Sequence, residues 1–545
     1  MALKEDIKTF FKGEIFDDEK TLNTYGRDAS LFFVEPKLVV SPNDSEDIKK
    51  LVSYVSLNKK YDPSLSITAR SAGSCMSGGS LNESIIVDFT KHINGIKSVS
   101  PSEAVVLPGT FYRDFEVETL KHDAILPCFT ASKNLCAIGG MISNNAAGEK
   151  TLQYGKMENY VKKLKVIFTD GNEYEVKPLS KEELDLKMKQ KDFEGGLYKQ
   201  VFDLIEANKE IITKAKPDVS KNSAGYYLWN VWDGKTFDLT RLIVGSQGTL
   251  GMVTEATIKL VPIKKKSKLF VIFMRDISSL GSVVNEILPF GPDSLESYDD
   301  STMKLALKFL PEMFRTMKSK HFFKLIFSFI PEVFMMLTGG IPKLILLVEF
   351  SGQEEKEIDE KMMALQEKIL HFGYTTRLTR SQDESEKYWT IRRESFNLLR
   401  KHVHGTRTAP FVDDVVVKPE HLPEFLPKMR KILDDYKLVY TIAGHAGNGN
   451  FHIIPLMNMK DKKNHPIIRE VSDKVYDLVL EYKGSITGEH NDGIIRTPYI
   501  RKMYGDQVYK LFEDVKAIFD PQNIFNPGKK VGGTIEYMES HITAS

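Results

Sequence analysis

The spacing of apolar residues predicts alternating strands and helices in the first half of the chain. Short apolar and β-branched runs typical of buried strands occur at residues 37–40, 66–69, 85–88, 164–169 and 252–260. Between the first two runs, apolar residues recur at helical spacing, and Asn43 and Glu46 predict the N-cap and its capping-box partner. Asp170-Gly171 predicts a hairpin turn into a further strand at residues 173–176.

A second pattern near the C-terminal end predicts a β-hairpin. Apolar, β-branched runs flank Gly-Asn-Gly-Asn at residues 447–450, and glycine and asparagine adopt the positive φ of tight turns at low cost. A turn at these four positions places Ala446 opposite Phe451 and His445 opposite His452. Directly opposed residues have Cβ atoms roughly 5 Å apart, so the two imidazoles could share a metal ion. The alternative is a hairpin whose histidines are only hydrogen-bonded.

Three loops rich in small residues each lie at a predicted strand end. We call them loop 1 (residues 70–79), loop 2 (131–148) and loop 3 (245–251). Such loops expose backbone N–H groups that hold phosphate oxygens. Three of them indicate a site for an extended dinucleotide, although a Rossmann GxGxxG motif is absent from all three.

Composition limits the class of protein. At 545 residues, and with ~150 residues per domain, the chain is expected to form three or four units. The 75 basic and 74 acidic residues nearly cancel, so nothing indicates a nucleic-acid partner. The three cysteines form no CxxC pair, which argues against an iron–sulfur ligand set and a disulfide framework. With no apolar signal sequence at the N-terminus, we expect a cytoplasmic protein.

A Glu-His pair further along the chain extends the histidine hairpin into a candidate metal site. Glu489 and His490 are adjacent, and neighbours in extended backbone point to opposite sides. Glu489 can therefore join His445 and His452 as a two-histidine, one-carboxylate set suited to Zn²⁺ or a similar divalent ion. His490 then remains available for acid–base chemistry.

The order and spacing of the three loops resemble the flavin domain of the vanillyl-alcohol-oxidase/PCMH superfamily. The resemblance is strongest to its D-2-hydroxyacid dehydrogenases: D-lactate dehydrogenase, the glycolate oxidase FAD subunit and D-2-hydroxyglutarate dehydrogenase. It runs from about residue 36 to 529 and includes GHxGxGNxH at 444–452, GEH at 488–490 and WxxR at 389–392. It implies an α+β fold. The expected units are a two-part PCMH-type FAD-binding domain (1–263), an α+β cap domain with an antiparallel sheet that binds substrate and metal (264–515), and a C-terminal segment returning to the flavin (516–545).

The same resemblance implies an FAD cofactor. Loop 1 has no histidine, so FAD is expected to be non-covalent, and Gln247 stands where the family usually has glutamate. The implied cofactor-binding residues are Arg70, Ser71, Ala72, Gly73, Ser74, Ser77, Gly78, Gly79, Ser132, Gly139, Gly140, Asn145, Gly148, Gln247, Gly248, Thr249, Gly251, Val253 and Asn526.

The family pattern also implies the chemistry. His445, His452 and Glu489 are the expected ligands of a divalent metal, with zinc as the expected ion, and His490 is the expected base. Arg392 is expected to bind the substrate carboxylate; from the sequence alone, a surface helix salt bridge is its alternative. The implied reaction is oxidation of a small D-2-hydroxy acid to the 2-oxo acid, with hydride transfer to flavin N5.

Substrate and partners stay open at this point. Val412 and Ile454 replace a lysine and an asparagine of D-2-hydroxyglutarate enzymes, so the substrate could resemble D-lactate, D-2-hydroxyglutarate or glycolate. The electron acceptor could be a quinone, an electron-transfer flavoprotein or a separate iron–sulfur subunit. Residues 490–493 and Arg496 are similar to large bacterial members fused to an iron–sulfur domain, and that domain is expected to be missing here.

Two features leave further alternatives. The stretch 303–347 mixes apolar residues with Lys and Arg, which predicts peripheral contact with an anionic membrane; buried helices of the cap or a homodimer contact are the alternatives. For the function, one alternative is a superfamily FAD oxidase or synthase acting on a sugar lactone or an ether-lipid precursor. Another is a flavin-free zinc hydrolase.

Overall fold

The computed structural model describes residues 2–308, 340–402 and 406–543. Much of the predicted membrane-contact stretch 303–347 therefore lies outside the described residues. Within the described ranges, no helix combines the length and the apolar character that crossing a bilayer requires.

The strands and helices follow one another along the whole described chain. The strands are β1 (Glu14–Phe16), β2 (Leu38–Ser41), β3 (Ile67–Arg70), β4 (Ile85–Asp88), β5 (Ile96–Val99), β6 (Glu103–Val106), β7 (Ala124–Ile125), β8 (Val161–Ile167), β9 (Glu173–Val176), β10 (Leu179–Ser180), β11 (Thr236–Phe237), β12 (Met252–Lys259), β13 (Val261–Pro262), β14 (Lys266–Met274), β15 (Ser294–Asp299), β16 (Leu344–Gly352), β17 (Thr375–Leu378), β18 (Arg407–Thr408), β19 (Val415–Val416), β20 (Val439–His445) and β21 (Asn450–Met457). The helices are α1 (Ala2–Lys8), α2 (Glu19–Tyr25), α3 (Ser45–Asn58), α4 (Tyr112–Leu120), α5 (Ile138–Asn144), α6 (Thr151–Tyr154), α7 (Lys181–Met188), α8 (Phe193–Ala207), α9 (Lys209–Ala215), α10 (Thr240–Ile243), α11 (Leu280–Ile287), α12 (Asp300–Lys308), α13 (Glu355–Ile369), α14 (Gln382–His402), α15 (Leu422–Asp435), α16 (His465–Glu481), α17 (Gly493–Phe519, interrupted at Gly505) and α18 (Ile535–Ser540).

The first half of the chain forms two main sheets. The first has the order β1-β2-β4-β3, with β2, β4 and β3 parallel and β1 antiparallel to β2. The second is antiparallel, in the order β5-β6-β12-β8-β9. The predicted hairpin at Asp170-Gly171 joins β8 to β9 and is confirmed. Two short pairs, β10-β11 and β13-β7, complete this half.

Helix α3 packs its apolar face into the core of the first sheet, as its spacing predicts. Ile48, Leu51, Val52 and Val55 are all buried there. The predicted N-cap is wrong by one residue. Asp44 caps the helix, because its carboxylate accepts the backbone N–H of Asp47, while the N–H of Asn43 donates to the Asp47 side chain.

The second half contributes a large antiparallel sheet. Its strands in the described chain have the order β17-β14-β16-β15-β20-β21-β18, and β19 also pairs with β21. The predicted α+β class, with an antiparallel sheet in the second half, is confirmed. The predicted domain boundaries stay a prediction. The histidine hairpin is formed by β20 and β21, so it lies inside this sheet rather than at an isolated surface turn.

After α17 the chain returns to the first sheet. Ile67 donates its N–H to the Ile524 carbonyl and accepts from the N–H of Asn526. The Asn526 side chain then donates to the carbonyls of Gly79 and Gln247. The C-terminal segment therefore lies against loops 1 and 3, and it brings its buried asparagine between them.

Candidate active site

One large cavity, with a volume of about 1130 Å³, lies between the three loops and the histidine hairpin. Residues of all three loops form one part of its wall, and residues of the large sheet and of α14 form another. Most of the predicted cofactor-binding residues line it: Ser71, Ala72, Gly73, Ser74, Gly79, Ser132, Gly139, Gly140, Gly148, Gln247, Gly248, Gly251 and Val253.

The remaining predicted cofactor residues lie behind the cavity wall: Arg70, Ser77, Gly78, Asn145, Thr249 and Asn526. They support the loops. The Arg70 guanidinium donates to the carbonyls of Tyr25 and Arg27 at 2.9 and 2.6 Å, and Ser77 Oγ donates to the His490 carbonyl at 3.0 Å. These residues shape the cavity without facing it.

Glycine allows the loops to approach one another closely. A Cβ at Gly139 would lie 2.7 Å from Pro108 Cβ and from Ser71 Oγ, and a Cβ at Gly79 would lie 2.3 Å from the Gln247 amide nitrogen. Gln247 Oε1 accepts the Gly493 N–H at 2.8 Å, which ties loop 3 to α17. The cavity wall here is small side chains and backbone, which fits the phosphates and isoalloxazine ring of FAD.

The histidine hairpin has a different register from the predicted one. Ala443 pairs with His452 and His445 pairs with Asn450, so the predicted opposition of His445 and His452 is wrong. The turn spans residues 446–449 because Gly449 takes the left-handed position, with φ of 64°; a Cβ there would overlap the Val417 carbonyl. Diagonal positions still share one face of the sheet, and the two Nε2 atoms lie 3.3 Å apart.

Glu489 joins the two histidines. Its Oε1 lies 3.2 Å from His445 Nε2, and its Oε2 lies 3.9 Å from His452 Nε2. Asp414 positions this segment, because its Oδ2 accepts the backbone N–H groups of three successive residues, 488–490, at 2.8–2.9 Å. We call His445, His452, Glu489 and His490 the histidine cluster.

His490 lies beside the other two histidines. Its ring stacks on that of His452 with centroids 5.1 Å apart, and its Nδ1 lies 2.7 Å from Asp413 Oδ2. Burial lowers the pKa of His490, but the charges of Asp413 and Asp414 outweigh it and raise this pKa to about 9. A divalent cation nearby would oppose this protonation and favour the neutral imidazole.

Two buried carboxylates orient the histidines. Glu296 Oε1 lies 2.5 Å from His445 Nδ1, and Asp413 Oδ1 lies 3.1 Å from His452 Nδ1. A carboxylate at Nδ1 holds the proton there, so that the Nε2 lone pair is available to a metal. Two imidazole nitrogens and one carboxylate form a donor set that fits Zn²⁺. The residues present therefore fit a divalent metal at the predicted ligands.

Arg392 reaches the same cavity from α14. Its guanidinium lies 3.2 Å from Glu296 Oε2, so one carboxylate contacts both Arg392 and His445. Arg392 Nε is buried and has no hydrogen-bond partner among the described residues. The guanidinium faces the cavity rather than the outer surface of its helix, and it retains a donor for an anionic ligand.

Comparison with known proteins identifies the family. A model named FAD binding domain matches residues 36–177, and one named FAD linked oxidases, C-terminal domain, matches residues 263–530. The chain belongs to the FAD-linked oxidases. These two regions contain loops 1 and 2 and the whole histidine cluster, respectively.

Curated relatives cover most of this FAD-linked oxidase. The D-2-hydroxyglutarate dehydrogenase of Pseudomonas putida is 27% identical over 95% of this chain and 50% of its own length. The glycolate oxidase subunit GlcD of Bacillus subtilis is 25% identical over 97% of this chain and 96% of its own length. The D-lactate dehydrogenase of Archaeoglobus fulgidus is 26% identical over 91% of this chain and 91% of its own length. The chain thus spans about half the length of the D-2-hydroxyglutarate dehydrogenases of Pseudomonas putida and Escherichia coli.

Solved structures establish the fold of the oxidase. The 4-ethylphenol oxidase of Gulosibacter chungangensis has a TM-score of 0.68 at 15% identity, with 96% of this chain and 95% of that chain covered. p-Cresol methylhydroxylase has the same TM-score at 14% identity, with 98% of this chain and 97% of that chain covered. The predicted PCMH-type fold with a second α+β domain is confirmed.

Four charged residues of the site were not predicted: Lys221, Glu296, Asp413 and Asp414. Lys221 is fully buried, and its ammonium contacts Glu489 Oε1. Burial raises the pKa of Glu489, but the Lys221 charge outweighs it and keeps this pKa well below its usual range. Adjacent aspartates inside the apolar run 411–417 could have indicated Asp413 and Asp414, since buried acids need partners. Lys221 has no comparable signal.

Proposed function

We propose that this FAD-linked oxidase converts a small D-2-hydroxy acid to the corresponding 2-oxo acid. One observation carries the proposal. The histidine cluster and Arg392 line the same cavity as the three cofactor loops, so that an acid–base group, a carboxylate-binding group and a cofactor site meet in one space. The names of the relatives, which refer to 2-hydroxyglutarate, glycolate and lactate, support this class of substrate.

The residues have distinct roles in the proposed reaction. Arg392 binds the substrate carboxylate through its guanidinium, which is suited to bidentate contact. His490, in its neutral form, accepts the hydroxyl proton at Nε2, and Asp413 at its Nδ1 stabilises the imidazolium that results. FAD, when bound, supplies the acceptor for the hydride that leaves C2.

The proposal includes a divalent metal, with zinc as the expected ion. His445, His452 and Glu489 would hold it, and Glu296 and Asp413 would keep the two imidazoles in the required tautomer. Such an ion would act as a Lewis acid that lowers the pKa of the substrate hydroxyl. The reaction also requires an electron acceptor, for which a quinone, an electron-transfer flavoprotein or an iron–sulfur subunit are candidates.

Anaerobic flavin bleaching tests the proposal. Purified protein should show a flavin spectrum, and D-2-hydroxy acids should bleach it without oxygen, while the L-enantiomers should not. Chelation should abolish the bleaching and leave the flavin bound. Protein without flavin would contradict the proposal and favour the zinc hydrolase. Bleaching by a sugar lactone, unaffected by chelation, would favour the other flavoenzyme alternative.

A further inference from the structure

Lys221 is a buried cation that the proposed reaction does not use. Its side chain is fully buried, its ammonium lies 2.5 Å from Glu489 Oε1, and Asn450 Oδ1 is 3.4 Å away. Glu489 is one of the three proposed metal ligands. The other two, His445 and His452, have carboxylates at Nδ1, whereas the Glu489 carboxylate itself contacts an ammonium.

The backbone around Lys221 is tied to both segments that carry proposed metal ligands. Ser220 Oγ donates to the Asn448 carbonyl, in the turn of the histidine hairpin, at 2.7 Å. Ser223 Oγ donates to the Gly488 carbonyl, one position before the carboxylate ligand, at 2.7 Å. Lys221 lies between these two hydrogen bonds in the sequence, so the fold holds its ammonium at the carboxylate ligand.

The charge of Lys221 has opposite consequences with and without a metal ion. In the metal-free protein the Glu489 carboxylate is buried, and a buried carboxylate requires a partner, which the ammonium provides. A divalent ion at the same carboxylate would share it with the ammonium, and like charges repel one another. The partners of the histidine ligands differ, because Glu296 and Asp413 are anions and attract a metal ion.

We propose that Lys221 is an internal counter-charge of the metal site, which stabilises the metal-free protein by pairing with Glu489 and lowers the affinity of the site for a divalent ion. Lys221 is thus a positioning residue that acts through Glu489. This inference rests on the proposed function, because it assumes that His445, His452 and Glu489 hold the ion. Removal of the Lys221 charge should tighten metal binding and make the fold more dependent on the metal.

Competition with a chelator measures the metal affinity. The flavin-loaded wild type, Lys221→Met and Lys221→Arg are equilibrated with zinc and graded concentrations of EDTA, and the bound zinc is determined. The apparent Kd of Lys221→Met should be lower than that of the wild type by ~10-fold or more, since two cations that share one carboxylate repel each other in a protein site. Lys221→Arg keeps the charge and should bind zinc like the wild type.

Two results of this titration would overturn the inference. A Kd of Lys221→Met equal to or higher than that of the wild type would show that the ammonium supports metal binding rather than opposing it. Equal tightening in Lys221→Met and Lys221→Arg would show that the shape of the side chain, and not its charge, sets the affinity.

Lys268→Met is the matched control. Lys268 is also largely buried and forms an ion pair with Asp359 at 2.7 Å, but it lies on β14, which β16 and β15 separate from the histidine hairpin. This substitution also removes a buried lysine from its carboxylate partner, and it should leave the Kd for zinc unchanged. Tightening of the same size in Lys268→Met would contradict the inference, because the effect would then not arise at the metal site.

A double-mutant cycle in metal-free protein tests the counter-charge separately. Lys221→Met and Glu489→Gln each leave one buried partner unpaired and should lower the Tm, whereas the double variant removes both charges and should recover part of the loss. A double variant no more stable than Lys221→Met would contradict the pairing. Where Lys221→Met alone does not fold, a folded double variant supports the inference and an unfolded one overturns it.

Equilibrium dialysis of the wild type with zinc distinguishes this inference from the proposed function. Wild-type protein that binds no zinc would remove the metal from the proposed function, and the inference with it. Wild-type protein that binds zinc, together with a Lys221→Met variant that binds it no more tightly, would overturn the inference alone and leave the proposed function intact.

Discussion

Loops 1 to 3 form their part of the cavity from small residues and backbone, whereas the histidine cluster is assembled from paired charges of separate segments. In the loops, the decisive contacts are steric, as at Gly139 against Pro108 and Ser71. At the cluster they are ionic: Glu296 contacts His445, Asp413 contacts His452 and His490, and Lys221 contacts Glu489. A substitution in the loops should therefore change cofactor retention, and one at the cluster should change chemistry while the flavin stays bound.

The largest effect is expected for His490→Ala. The variant lacks the proposed base, so kcat should fall by about 10²–10⁴-fold, the usual contribution of general acid–base catalysis. The flavin spectrum should be unchanged, because the contact of His490 with loop 1 is made by its backbone carbonyl. His371→Ala is the matched control, since His371 is exposed and lies far along the chain from the cluster. Wild-type turnover in His490→Ala would remove this residue from the mechanism.

Asp413→Asn should have the next largest effect. The carboxylate faces the Nδ1 atoms of both His452 and His490, whereas the single oxygen of an amide can accept a hydrogen bond from only one of them. The tautomer of the other histidine is then no longer fixed. Substitutions of such groups lower metal affinity or activity by about 10–100-fold. Metal content after dialysis and kcat/KM measure this effect, and full metal retention with unchanged turnover would contradict it.

Asp414→Asn should mainly reduce stability. Asp414 Oδ2 accepts three backbone N–H groups and the Thr487 hydroxyl, and Oδ1 accepts the Asn450 amide. The NH2 group of an asparagine side chain would point at a hydrogen-bond donor, and the hydrogen bonds to a charged acceptor would be lost. We expect a loss of about 3 kcal/mol in the free energy of unfolding, measured by urea denaturation. Stability like that of Asp413→Asn would show that these neighbouring aspartates do not have separate roles.

The same contrast explains which parts could be predicted from the sequence. Loops 1 to 3 and the GHxGxGNxH segment are local patterns, so their strands and small residues were recognisable. The hairpin register was not recognisable, because Gly-Asn-Gly-Asn allows more than one turn position, and the close approach of Gly449 to the Val417 carbonyl is a contact between residues far apart in the sequence. Glu296 and Lys221 reach the cluster only through tertiary structure. Their roles depend on contacts across 149 and 268 positions, which no local pattern records.

Gly139→Ala tests the steric side of the comparison and should have the smallest effect on chemistry. The added methyl group would push loop 2 away from Pro108 and Ser71, since Gly139 also donates its N–H to the Pro108 carbonyl at 2.7 Å. Overpacking of this kind costs between about 1 and 3 kcal/mol of stability, and flavin retention after gel filtration should fall, while flavin-loaded molecules keep their turnover number.

Gly196→Ala is the matched control for this prediction. Gly196 lies inside α8, and no atom is within 4 Å of the position that its Cβ would take. The substitution should therefore raise stability by roughly 0.5–1 kcal/mol, because alanine favours a helix interior, and it should leave the flavin content unchanged. If Gly139→Ala behaved like this control, the close approach of loops 1 and 2 would not be needed to hold the cofactor, and the steric account of the loops would fail.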